Sequence, residues 1–555
     1  MSYRICTIMH GVFKTGGVIM KKSKIFAAVT ALAVTACMVF TGCSVQTGAE
    51  DKMLSQLDYD EEAVPSAVRN VVILSGTWEE MGYQYASQLP DTVKRCVASG
   101  VSGMLSEHTY TECMNALQKQ LDYYDEHAPE VSELFQGLAD GAGIDFETVA
   151  LGMGSFYGGG FCSTMAAWGE ATEDGRLIAG ANWDTESGDS YFLPTIIAYP
   201  EDGHAFIASC GFFGNIVMND AGVVFTGSSG QSAEEDDTGL GLPVISPMTF
   251  LAAKCKTAEK AKDLYISDYA PGTGDNFHVA DKKGSYIVEH TASKNEVRRA
   301  GDFGETDYTI ATNDFMTENM QSSLYSGEDF WDDNRPRYWT EERVLLDDFG
   351  NASLDTFAEA LGCNSFYIPE NWKESGWAPM FPESELKTGW NDDVWNLDKY
   401  QGYYTPENRE PTLKTVTKGI ADPENMTMYI MNGSSDTLVS GAPDGTGNYM
   451  CVKLCETYEE AVYEAQHYAY MQNWLAARDI SQSSGDVDER TENLDTAKKA
   501  AIAGENYAYR AGVATDGDTK RELYGKAISK FCEAQCYAQL AQNDPTKIAR
   551  EGGDY

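Results

Sequence analysis

Cys162 lies just behind a run of three glycines, in Gly158-Gly159-Gly160-Phe161-Cys162-Ser163-Thr164. Glycines reach backbone angles that other residues avoid, so a strained turn is accessible there. A thiol so placed has a chemistry that needs no histidine. Attack on its own preceding carbonyl shifts the Phe161–Cys162 peptide to a thioester, and hydrolysis of that thioester leaves Cys162 with a free α-amine. An α-amine has a pKa of about 8, low enough to serve as base for the thiol beside it. Taken alone, the same residues also read as a buried structural cysteine.

The elements around Cys162 must place a thiol, a carbonyl and an amine with precision. After it, the pattern is one of strands and tight turns. Asp174-Gly175 is a hairpin signal between strands at 163–169 and 177–182. Asp184 follows on the returning strand, in position to hydrogen-bond the amine of Cys162. Further strands are expected at 195–199, 204–209, 222–226, 277–280, 285–289, 426–431 and 449–454, with a helix at 247–261. Before Cys162, a strand at 71–74 precedes helices at 78–89 and 110–126, and Pro129 suits the first turn of another. Strands in succession with helices set apart indicate an α+β layered domain.

Several ordered motifs extend this pattern. Ser75-Gly76-Thr77-Trp78-Glu79-Glu80-Met81-Gly82, Ala128-Pro129-Glu130 and Gly137-Leu138-Ala139-Asp140-Gly141-Ala142-Gly143-Ile144 precede the cysteine. Gly180-Ala181-Asn182-Trp183-Asp184, Met218-Asn219-Asp220-Ala221-Gly222, Ala311-Thr312-Asn313-Asp314-Phe315 and Asn334-Arg335-Pro336-Arg337-Tyr338 follow it. Over about 70–455 the chain resembles the acyl-coenzyme A:6-aminopenicillanic acid acyltransferase-like (peptidase C45-type) family of Ntn hydrolases, related to the choloylglycine hydrolases. The resemblance implies an α+β, four-layer αββα sandwich with an N-terminal helical pro-segment and a C-terminal helical extension. It implies that Cys162 is the nucleophile and Phe161–Cys162 the autocleavage site, that Asp184 orients the α-amine, and that Asn313 donates to the oxyanion. A neutral side-chain amide suits that last task, worth roughly 3 kcal/mol in comparable sites. No cofactor is implied.

Two departures bear on substrate. Choloylglycine hydrolases carry Arg where this chain has Ala181, which weighs against bile-salt hydrolysis. They also use a second Asn where Ser228-Ser229 stands, so Ser229 and Asn182 are the candidates near the oxyanion, and Arg337 or Arg335 for a substrate carboxylate. Arginines near a helix start also read as surface residues, and Asn219 reads as a turn residue. The expected activity is hydrolysis or transfer of an N-acyl amide at a linear C–N bond, on a small-molecule substrate. A phospholipase B-like esterase or dipeptidase on the same scaffold, and a non-catalytic surface binding lipoprotein, are the alternatives.

The composition narrows the setting. A net charge of -44 repels phosphate backbones, so nucleic acid is excluded as a partner. Residues 20–24 are Met-Lys-Lys-Ser-Lys, followed by a 16-residue apolar run to Phe40 and then Thr41-Gly42-Cys43. This is a lipoprotein signal, too short for a standing transmembrane helix. Cys43 is the expected lipidated first residue, which places the mature chain (charge about -49 without residues 1–42) outside the cytoplasm on a bacterial bilayer. Plain secretion is the alternative, because Phe40 replaces the usual Leu. The expected organisation is 1–43 mis-start and signal, 44–65 tether, 66–161 pro-segment, 162–455 catalytic core and 456–555 helical tail. Within the core, 325–400 is an aromatic-rich insertion holding six of the ten tryptophans. Thr457-Tyr458-Glu459-Glu460 reads as a capping box opening the tail. Of the 13 cysteines, Cys451/Cys455 and Cys532/Cys536 are spaced i, i+4, as buried apolar residues or local disulfides rather than a zinc site.

Overall fold

The computed structural model describes residues 48–60, 70–154, 161–186, 194–230, 240–243, 247–324, 334–363, 366–375, 388–391, 413–432, 449–485 and 487–542. The signal, Cys43 and the glycine run before Phe161 lie outside the described residues. Among the described residues the first element is a helix, α1 (Gly48–Leu54), in what reads as a featureless tether. Met53 and Leu57 are buried against the helical core, and Lys52 pairs with Asp145. Leu54 and Tyr59 pack beside them, and Gln56 donates to the Asp145 carboxylate.

Strand β1 (Val71–Gly76) is followed by α2 (Trp78–Gln88), α3 (Pro90–Glu107), α4 (Tyr110–His127), α5 (Glu130–Ala142) and α6 (Phe146–Gly154). Capping boxes start α2 at Thr77/Glu80 and α4 at Thr109/Glu112, each satisfying orphan N–H groups in both directions. Pro129 stands at the N-cap of α5, and Gly143 ends it in the left-handed conformation at φ 69°.

Among the described residues the strands form two large sheets and a two-stranded ribbon, β12 (Phe366–Ile368) with β13 (Gly389–Asn391). The first has eight strands in the order β1-β4-β5-β6-β7-β8-β9-β10: β4 (Thr195–Pro200), β5 (Phe206–Ala208), β6 (Ile216–Asn219), β7 (Val224–Ser229), β8 (Asp275–Asp281), β9 (Gly284–His290) and β10 (Asn295–Arg298). The second has six, β11-β2-β3-β14-β15-β16: β2 (Phe161–Ala167), β3 (Ile178–Glu186), β11 (Tyr308–Ala311), β14 (Leu413–Asp422), β15 (Thr427–Asn432) and β16 (Met450–Lys453). Helices α7 (Pro247–Lys254) and α8 (Ala258–Leu264) divide the single helix expected at 247–261, and the N-cap of α8, Thr257, marks the break. Asn219 is a turn residue: its Nδ2 donates to Ala252 and Cys255 carbonyls and its Oδ1 accepts from Ala221 and Val223.

Alternation along each strand assigns the faces. In β1, Val72 and Leu74 pack with α2–α8, whereas Val71 and Ile73 join Ile197, Ile207, Met218 and Val224 in a core shared with Ala179, Ala421, Met428 and Ile430 of the second sheet. The other face of the second sheet, with Met165, Ile178, Ile310, Ile420, Tyr429 and Met431, packs on α9 (Asn334–Asp347) and α10 (Leu354–Gly362). Trp339 and Trp372 of the aromatic-rich insertion are buried in this third cluster and Trp390 is exposed; Trp331, Trp377 and Trp395 lie outside the described residues.

The expected pro-segment thus contributes one strand to the eight-stranded sheet, because β1 pairs in parallel with β4 from Val71–Thr195 to Gly76–Pro200. The tail is α11 (Tyr458–Gln482), α12 (Asp488–Val513) and α13 (Gly517–Leu540). Its opening cap is one-sided, with Thr457 accepting from Glu460 N–H. Ser529 on α13 accepts from Val71 N–H at 2.8 Å, so the tail covers the edge of β1. Cys532 and Cys536 are buried on the same helix, near Cys451 of β16.

Helices α2 and α5 touch through their backbones. A Cβ at Gly137 would lie 1.9 Å from the Glu79 carbonyl oxygen, and one at Gly141 2.6 Å from that of Tyr83. Gly103 on α3 faces open space instead. Gly137→Ala is therefore expected to cost about 1–3 kcal/mol or more by overpacking, while Gly103→Ala raises stability by up to ~1 kcal/mol through helix propensity. Urea unfolding of the two variants checks the opposite signs.

Candidate functional site

Cys162 is the second residue of β2 and pairs with Trp183 of β3, between the pairs Phe161–Asp184 and Ser163–Asn182. On its other side β2 has β11, which ends where Ala311 pairs Thr164. The chain then continues through Thr312 to Asn313, whose Oδ1 accepts the backbone N–H of Cys162 at 2.9 Å. A side chain thus takes up the ladder bond where the strand stops.

Arg337, in the first turn of α9, completes the grip. Its Nη1 donates to the Cys162 carbonyl at 2.6 Å and to Ser163 Oγ at 3.4 Å. Its Nη2 donates to Asn313 Oδ1 at 2.9 Å and Asn334 Oδ1 at 2.6 Å. Asn182 Oδ1 accepts from Ser163 N–H at 2.7 Å. Both backbone groups of Cys162 are thereby held by side chains, and its own side chain is 6% exposed.

Arg337 is buried, in contrast to the surface position its sequence context permits. Arg335 pairs with Asp314. Asn313 turns its oxygen to Cys162 and donates from Nδ2 to the Ser229 carbonyl at 2.6 Å, so one hydrogen of the amide expected to meet the oxyanion is committed to backbone. Ser229 meets Asn313 through its backbone carbonyl. The side chains of Phe161 and Asp184 lie outside the described residues; their backbones are directly paired.

The loop carrying Asn313 is itself pinned by residues with no motif of their own. Ser228 Oγ and Asn276 Nδ2 donate to the Thr312 carbonyl at 2.6 and 2.8 Å, and Asn276 also reaches the Asp314 carbonyl at 3.1 Å. Glu289 accepts from Met316 N–H, Thr317 N–H and the Thr317 hydroxyl at 2.8, 3.0 and 2.7 Å. Arg298, fully buried, neutralises Glu289 at 3.0 Å. Burial pushes the Asp314 carboxyl up, against the opposing pull of Arg335. The one signal in the sequence was a polar pair, Asp275-Asn276, opening an otherwise apolar strand.

Cys162 opens on a cavity of about 30 Å³, also lined by Trp183, Met248, Asn215, Ser228, Ser229 and Asp275. That holds a water or two, well short of the few hundred Å³ of a drug-sized site. No histidine lines it. His278 bridges Thr164 and Thr309 elsewhere in the core, and burial together with Arg298 holds it neutral, its pKa lowered to about 3. Asp275 accepts from Tyr265 Oη at 2.8 Å, and burial pushes its pKa up to about 7.

No family model matches the sequence, and no curated protein does. Among solved structures, the chain is similar to penicillin V acylase from Agrobacterium tumefaciens at 12% identity and TM-score 0.29, over 49% of this chain and 83% of that one. A mutant conjugated bile acid hydrolase from Clostridium perfringens gives 14% and 0.28, over 49% and 89%. A second variant of that hydrolase gives 14% and 0.29, over 48% and 89%.

Asp275 sets a pH signature. Between the ordinary carboxylate pKa of about 4 and its own value of about 7, the folded chain keeps a proton here that the unfolded chain releases. Its contribution to stability therefore falls as pH rises through that window. Asp275→Asn should gain on the wild type in urea midpoint from pH 5 to pH 7, by at most ~1.4 kcal/mol per unit. A stability difference that does not change with pH would contradict the burial argument.

Proposed function

We propose that this chain is the precursor of an N-terminal-nucleophile cysteine hydrolase acting on the amide bond of small N-acyl compounds. The two-sheet arrangement with helices against both outer faces is read as the αββα sandwich of that class. The observation that supports the reading most is the clamp on Cys162: the N–H that would become the α-amine is held by Asn313 at 2.9 Å, and the following carbonyl by Arg337 at 2.6 Å.

Activation begins with attack of the Cys162 sulfur on the Phe161 carbonyl carbon. The C–N bond breaks, the nitrogen takes a proton, and water hydrolyses the thioester to a Phe161 carboxylate and a Cys162 amine. With a pKa of about 8 the amine accepts the thiol proton in turn. Sulfur then attacks the substrate carbonyl, the proton passes to the leaving amine, and water releases the acid from the acyl-thioester. Asn313 Oδ1 already faces the nitrogen concerned, and the role of orienting the amine is assigned to Asp184, whose backbone pairs with Phe161. Side-chain donors around the cavity meet the oxyanion.

After cleavage the pieces remain one body, since β1 pairs along its length with β4 and its Val71 N–H is held by Ser529 of α13, both beyond the cut. Lipidation at Cys43 would tether this body outside the membrane; acyl-coenzyme A is not a donor expected there, so water is favoured as acceptor. Self-cleavage should leave a fragment of roughly 43 kDa for residues 162–555, in proportion to 60.8 kDa over 555 residues. Cys162→Ala is expected to abolish both that fragment on denaturing gels and the release of amine from N-acyl amides. A variant that still splits at this bond would place the cleavage in another protease's hands.

A further inference from the structure

The cavity beside Cys162 has one wall contributed by the turn between β5 and β6. This turn is unusually constrained. Cys210, Gly211 and Gly214 all have left-handed backbones, at φ 60°, 61° and 57°. A non-glycine residue held there is uncommon and stores strain of the order of 1 kcal/mol or more. Gly211 N–H donates to the Pro194 carbonyl at 2.7 Å, Thr249 Oγ1 to the Phe212 carbonyl at 3.0 Å, and Ile216 N–H to Ser209 Oγ at 3.2 Å. A Cβ at Gly214 would lie 2.6 Å from Val217 Cγ2, so the chain has no slack before Asn215.

Asn215 is what this turn presents. It lines the same cavity as Cys162 and is 6% exposed. Its Nδ2 is buried and has no hydrogen-bond partner among the described residues. An amide donor left so in a folded interior costs about 1–3 kcal/mol. Donors in that condition, on a rigid support and beside a nucleophile, are suited to receive charge that develops only during reaction.

We propose that Asn215 is a catalytic residue: its side-chain NH2 donates a hydrogen bond to the acyl oxygen as that oxygen becomes an oxyanion on attack by Cys162. The proposal rests on the hydrolase reading above. It supplies, from the turn between β5 and β6, the amide donor that Ser228-Ser229 cannot.

Two reagents separate this role from a structural one. Acylation of Cys162 by p-nitrophenyl acetate passes through a tetrahedral oxyanion and releases nitrophenolate. Alkylation by iodoacetamide is a displacement at carbon that forms no oxyanion. Asn215→Ala should lower the acylation burst rate by about 10²- to 10³-fold and leave alkylation within about twofold. Asn215→Asp, nearly isosteric and without the donor, should show the same selective loss. Unchanged acylation in both variants overturns the assignment, and so does a parallel fall in both reactions, which marks Asn215 as part of the scaffold. A wild-type protein alkylated at Cys162 but never acylated there instead refutes the hydrolase reading, and this assignment with it.

Discussion

The structure turns on one buried cation. Arg337 lies between α9 and β2 with neutral oxygens around it: the Cys162 carbonyl, Ser163 Oγ, Asn313 Oδ1 and Asn334 Oδ1. A guanidinium out of water is tolerated only where its fork of donors is matched, and here the match fixes two adjacent backbones at once. Through Asn313 the same cation governs the N–H of Cys162 as well as its carbonyl. Any change in the approach of α9 to the second sheet is therefore felt at both ends of this one residue.

The clamp needs a rigid back. The turn after β11 carries Asn313, and that turn has no regular ladder to hold it. Ser228 and Asn276 hold its carbonyls from the first sheet, Glu289 holds its N–H groups, and Arg298 neutralises Glu289. These polar groups lie deep in the protein, where satisfied networks rigidify and unsatisfied ones are costly. The first sheet therefore positions a loop that serves the second. Neither sheet can shift against the other without disturbing Cys162.

Much of the framework was legible in the sequence. The β2–β3 hairpin follows from Asp174-Gly175 and the flanking apolar runs, and it alone sets Cys162 against Trp183 and Phe161 against Asp184. The helices at 78–89 and 110–126 follow from apolar spacing. The parts that were hidden depend on long-range packing. Arg337 sits among polar residues at a helix start, and only the docking of α9 onto the second sheet buries it. Asn215, in Phe213-Gly214-Asn215, has the look of any turn asparagine. Parallel pairing of β1 with β4 joins segments more than a hundred residues apart, and no local pattern announces it. The helix at 48–54 was hidden because Met53 is its one deeply buried residue.

The central claim is that this held backbone is the place where the chain opens, making Cys162 a terminus. N-terminal sequencing of the purified, undenatured-source protein addresses it directly. The account predicts a second amino terminus reading Cys-Ser-Thr-Met-Ala, from Cys162 to Ala166. A protein active on N-acyl amides whose Phe161–Cys162 bond is intact in every molecule would contradict it.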